Sequence, residues 1–99
     1  MNKKLKPKWV NALRSDDFQQ GMGVLRTRDG KFCCLGLLRY INDPKDKTKR
    51  RDHFGPVELL SDERLKEFGL TRRIQRELAA MNDEGVPFPV LAGFIEENI

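Results

Sequence analysis

Two adjacent cysteines, Cys33 and Cys34, and a single histidine, His53, are the residues of this chain best suited to covalent or metal chemistry. A thiol must lose its proton to attack, and His53 is the one imidazole that could take it. No third group that would orient the ring is evident from the spacing. Zinc needs about four nitrogen, sulfur or oxygen ligands, and a Cys-Cys pair with one distant histidine offers neither the number nor the CxxC spacing. A disulfide between neighbours would be strained, because successive strand side chains point to opposite faces. Reduced thiols are therefore expected, both read as packing residues, with Cys34 inward and Cys33 on the other face of its strand. The acidic pairs Asp16-Asp17 and Glu96-Glu97 fall at helix ends or on solvated faces and make no case for acid–base catalysis. The reading is a non-enzyme, with no catalytic residue, no metal site and no cofactor.

Residues suited to binding are easier to find. Gly21-Met22-Gly23 precedes a predicted strand, so it is not the dinucleotide fingerprint, which follows one. Glycine still permits close backbone approach, and Gln19, Gln20, Arg26 and Arg28 nearby are suited to a phosphate or another polar ligand. Lys49, Arg50 and Arg51, with Lys45 and Lys47, form a basic stretch able to contact phosphates, and Lys3, Lys4, Lys6 and Lys8 form a second cluster. The basic stretch has no interleaved aromatics for base stacking, and Asp43, Asp46 and Asp52 dilute it. A solvated linker is an equal reading of it.

The charge is unevenly placed. Residues 1–58 carry 14 Lys and Arg against 7 acids, whereas residues 59–99 carry 5 against 8, within a formal net charge of +4. A bipolar chain offers its basic half to acidic or phosphate-rich partners, although ordinary surface solvation produces the same pattern. With 99 residues and 34% charged side chains, one thin-cored domain spanning 1–99 is expected. No apolar run reaches membrane-span length and the basic N-terminus has no signal-peptide segment, so a cytoplasmic protein without membrane contact is expected.

The elements that must position these residues follow from periodicity and punctuation. Trp9, Val10 and Leu13 make an apolar stripe on a helix over residues 7–14, opened by Pro7, after which Phe18 is expected to fold back on it. Residues 24–41 read as the centre of the protein: a strand, a tight Asp29-Gly30 turn of type I′, a second strand through Phe32-Cys33-Cys34, then a helix bearing Leu35, Leu37, Leu38 and Ile41. In that hairpin Leu25 faces Cys34, Thr27 faces Phe32 and Arg26 faces Cys33. Asn42-Asp43-Pro44 ends the helix, and residues 43–54 form an exposed basic loop. Ser61 caps a helix stopped by Gly69, and Thr71 caps another bearing Ile74, Leu78 and Met81, closed by Asn82-Asp83-Glu84-Gly85. Pro89 begins a last helix with Val90, Leu91, Phe94 and Ile95 on one face. The expected class is α+β, mostly α, with about five short helices around one two-stranded antiparallel hairpin. A helix-turn-helix reading of the end is rejected, because a recognition helix is missing and Glu96 and Glu97 would repel DNA.

Trp9-Val10, Ala12-Leu13-Arg14-Ser15, Gln20-Gly21, Leu25-Arg26 and Cys33-Cys34-Leu35-Gly36 together resemble a group of short proteins encoded by tailed phages and prophages. Leu78 with Asn82-Asp83, then Phe88 and Leu91-Ala92, is similar to that group's closing helical hairpin, so the resemblance spans most of the chain except the charged loop. It implies a setting in the host-cell cytoplasm and no particular activity. Members often carry a third cysteine where this chain has Arg39, which implies packing rather than a three-thiolate site.

The expected function is that of a small non-enzymatic phage accessory protein that binds a host or phage macromolecule, in a role such as counter-defence or host takeover. The alternatives are a nucleic-acid or nucleotide-binding module using the basic residues of hairpin and loop, and a small enzyme with an unrecognised site.

Overall fold

The structure is a computed structural model that describes residues 1–46, 53–54 and 57–99. Among the described residues there are five helices: α1 (Leu5–Arg14), α2 (Cys34–Asn42), α3 (Asp62–Phe68), α4 (Arg72–Asp83) and α5 (Phe88–Asn98). Between α2 and α3, β1 (His53–Phe54) and β2 (Val57–Glu58) pair antiparallel, two residues each, which adds no layer.

Helix α1 buries Leu5, Trp9, Val10 and Leu13, one stripe at helical spacing. It starts two residues ahead of Pro7, because the Asn2 side-chain carbonyl accepts from the backbone N–H groups of Lys4 and Leu5. Pro7 is tolerated there, since first-turn N–H groups have no intrahelical acceptor. The stripe packs mainly against α5, and α2 lies across both α1 and α4. The buried Trp9 indole N–H donates to the Cys34 carbonyl at 2.9 Å, fixing the start of α2 on α1.

The caps read from local residues are present. Ser61 accepts from the Arg64 N–H with Asp62 and Glu63 in the first turn, α3 stops at Gly69, and Thr71 accepts from the Ile74 N–H. Pro89 stands in the first turn of α5. Buried leucines from all five helices and from residues 59–60, together with Trp9, Phe68 and Phe88, close around one core.

The α+β class and its hairpin are overturned: the architecture is helical, and residues 24–34 form no strand. Gly30 adopts φ +84°, and the Thr27 N–H donates to the Lys31 carbonyl at 2.8 Å, so three residues, 28–30, make the turn instead of two. A left-handed glycine at the third loop position is the known three-residue solution. The extra residue moves the pairing by one place, so Arg26 lies opposite Phe32 rather than Cys33, as an isolated bridge. The second strand cannot lengthen, because Cys33 is already the N-cap of α2, its sulfur accepting from the Gly36 N–H at 3.3 Å.

Both cysteines are buried in the core as packing residues, Cys33 being 5% exposed. Two further expectations are corrected. Val90 is 59% exposed rather than core-facing. Asp46, assigned to an exposed loop, buries its side chain against Arg64 at 2.7 Å, while Asp43, Pro44 and Lys45 are exposed. The rest of the basic stretch, 47–52, lies outside the described residues.

Candidate interaction surface

Between α1 and α2 the chain passes Phe32 twice. The Phe32 N–H donates to the Gln19 carbonyl at 2.9 Å, and the Gly21 N–H donates to the Phe32 carbonyl at 2.7 Å. On its other side Phe32 bridges Arg26. Phe32 thus joins two loop passes, and its ring anchors an aromatic triangle. Its centroid is 5.1 Å from that of Tyr40 on α2 and 5.9 Å from that of Phe18, and Phe18 and Tyr40 are 6.0 Å apart. Tilted and edge-on rings at such separations attract through their quadrupoles. Phe18 is half-buried and forms the third corner of this triangle.

The Arg26 guanidinium lies over this triangle, 5.2 Å from the Phe32 centroid and 5.5 Å from the Tyr40 centroid. It makes no hydrogen bond and no ion pair with the described residues, and the side chain is exposed. The cation–π contact holds the guanidinium against the rings while its N–H groups have no acceptor among the described residues. In chemical terms this is a positioned cation whose donors can meet an oxyanion.

A polar clamp holds the loop in place from below. Asn82, at the end of α4, is fully buried. Its side-chain oxygen accepts from the Cys34 N–H at 3.2 Å and from the Gln20 amide at 2.9 Å, and its nitrogen donates to the Gly21 carbonyl at 2.8 Å. Gln20 extends the clamp, donating to the Val86 carbonyl at 2.8 Å and accepting from the Phe88 N–H at 3.1 Å, which satisfies one of the first N–H groups of α5. Two residues beyond Gly21, the Gly23 N–H donates to the carboxylate of Asp83, the residue after Asn82, at 3.0 Å.

The residues singled out from sequence are thereby separated. Gln19 and Arg26 flank Phe32, with Gln19 exposed; Arg28 is exposed and has no partner among the described residues. Gln20 is half-buried and engages both its amide nitrogen and its amide oxygen in the clamp. Lys49, Arg50 and Arg51 lie outside the described residues. Phe18 and Tyr40 are members that sequence reasoning missed; Tyr40 follows Arg39 at the polar margin of α2, a position that alone gives no signal. Asn82 read as a helix terminator, and its burial has no signature in local spacing.

Each thiol has a structural contact: the Cys33 sulfur accepts from the Gly36 N–H as the cap of α2. The Cys34 sulfur is 3.8 Å from the Leu78 carbonyl, to which it donates, and burial, with the neighbouring Cys33 second, pushes its pKa well above the ordinary value. The side chain of His53 lies outside the described residues, which removes the Cys33–His53 pairing from view. Among the described residues no three His, Cys, Asp or Glu side chains are grouped to hold a metal ion. Glu96 is engaged by Arg14 in a two-pronged pair at 2.7 and 3.0 Å, with the Lys6 ammonium 3.4 Å from its carbonyl.

Residues 1–53 match the family described as Domain of unknown function (DUF8296). The chain belongs to this family. The DUF8296 match takes in α1, the Phe32 loop and α2, hence every member of the Arg26 cluster, whereas Asn82 and the helices α3 to α5 lie beyond it. No curated protein and no solved structure is significantly similar to this DUF8296 chain. Among its described residues no helix is long and apolar enough to cross a membrane.

Proposed function

We propose that this chain is a small non-enzymatic binding protein, a phage accessory factor that engages a host or phage macromolecule through the surface centred on Arg26. The observation that carries this reading is the exposed guanidinium held over Phe32 and Tyr40 with no acceptor among the described residues. An arginine oriented by its own protein and left open on one edge is the arrangement that recognition uses. The state of the thiols agrees with it: one is a helix cap, and the other is kept protonated by burial. The phage setting rests on the resemblance at Trp9-Val10, Leu25-Arg26 and Cys33-Cys34-Leu35-Gly36.

The test is retention of a partner from nuclease-treated bacterial lysate on immobilised protein, wild type against Arg26→Glu. A protein retained by the wild type and lost from the variant supports the reading. Turnover of a substrate by the purified chain in a broad activity screen overturns it, as does a retained set unchanged by Arg26→Glu.

A further inference from the structure

Resting on the binding reading above, we propose that the Arg26 patch docks an acidic segment of a partner protein, with a carboxylate of that segment held in the fork of the guanidinium. The guanidinium is planar and already held over two rings by cation–π contact, so less side-chain freedom remains to be lost when two coplanar oxygens meet its N–H groups. A carboxylate has that geometry.

Composition narrows the partner class. Within the same segment Met22 is 54% exposed, Arg26 and Arg28 are exposed, and Phe18 and Tyr40 are half-buried beside them. Methionine, aromatic residues and arginine are the types enriched where proteins meet proteins, with lysine depleted. The described lysine of this segment, Lys31, is already 3.7 Å from Asp29.

Nucleic acid fits less well. A strand carries a phosphate at every nucleotide and draws its affinity from a row of cations, whereas among the described residues of this loop two arginines, Arg26 and Arg28, are exposed. Bases also need open ring faces, and Phe32 is 5% exposed beneath Arg26. One or two carboxylates carried beside an apolar side chain complement an arginine held over aromatic rings in a loop that also exposes Met22.

The test uses the 99-residue chain and two fluorescent probes of equal net charge, an Asp- and Glu-rich peptide containing leucines and a single-stranded oligodeoxynucleotide, read by anisotropy. The peptide is expected to bind, and Arg26→Lys to weaken it about tenfold, because lysine keeps the charge and loses the fork. Arg28→Ala is expected to weaken it less, and replacing the peptide's acids by amides to abolish the signal. Circular dichroism and a melting curve establish that Arg26→Lys is folded, as its exposed position requires. Failure of the peptide to bind, equal binding by Arg26→Lys, or tighter binding of the oligonucleotide overturns the proposal. If any of these occurs while Arg26-dependent retention of a lysate protein persists, the acidic-segment assignment falls and the binding function stands; loss of both ends both.

Discussion

Gly36 and Leu25 touch through backbone alone: a Cβ on Gly36 would fall 1.7 Å from the Leu25 carbonyl oxygen and 2.4 Å from its carbonyl carbon. The loop that carries Arg26 is therefore seated directly on the first turn of α2, one residue away from the patch.

Gly36→Ala is the most damaging single-atom addition in the described structure, because rigid backbone and not a side-chain tip must move. It should destabilise by about 3 kcal/mol, the upper end of overpacking effects. A urea unfolding curve measures this, and a midpoint equal to wild type would show that the loop is not seated on α2.

Asn82 and Gln20 form one buried network and should behave as one. Asn82→Ala strands the Cys34 N–H, the Gly21 carbonyl and the Gln20 amide, at a cost of about 3 kcal/mol, and Gln20→Ala costs about 2 kcal/mol. Together they should cost less than the sum, by a coupling of about 1 kcal/mol in a double-mutant cycle of urea midpoints. Additive losses would mean that the two amides act separately.

Glu96 ties α5 to α1 by an exposed pair with Arg14, and the hydrogen bond from Arg14 lowers its pKa below the ordinary value. A carboxylate whose folded pKa is depressed adds stability above its unfolded pKa and loses it as the pH falls through the folded one. Stability curves of wild type and Glu96→Gln should separate above about pH 4.3, the unfolded value, and converge at the acid end. Being solvent-exposed, the difference should be small and should shrink further in 1 M salt.

The buried Cys34 thiol titrates in the opposite sense. Its raised pKa keeps it protonated in the folded chain while the unfolded thiol ionises above about pH 8.5, so stability declines as the pH rises past that point. Cys34→Ala should lower stability at neutral pH through lost packing, yet show a flatter curve between pH 8 and 10 than wild type. Peptide mapping after brief maleimide treatment of native protein should find Cys34 unmodified at pH 7, and rapid labelling there would place the thiol in solvent.

Sequence alone determined the features whose causes lie within a turn of the chain. Ser61, Thr71 and Gly69 delimit helices because a hydroxyl or a glycine acts on backbone groups two to five residues away, and Trp9, Val10 and Leu13 face inward by the helical period itself. Arg26 stood in the sequence as one candidate contact among several cations, and the free state of the two cysteines followed from their adjacency.

Tertiary structure decided whatever depends on contacts between distant segments. A one-residue difference in turn length at Gly30 changed every partner in the expected hairpin, and the helix beginning at Cys34 took over its second strand. Gln20 and Asn82, 62 residues apart, looked like a ligand contact and a helix stop until folding brought them within 2.9 Å. The stacking of Arg26 on Tyr40 requires α2 to be seated through Gly36, Trp9 and Asn82. Local pattern specifies which residues form a helix and which face is apolar; which polar side chains are buried against one another, and which one is left facing outward, is set by the packing of helices that the pattern does not order in space.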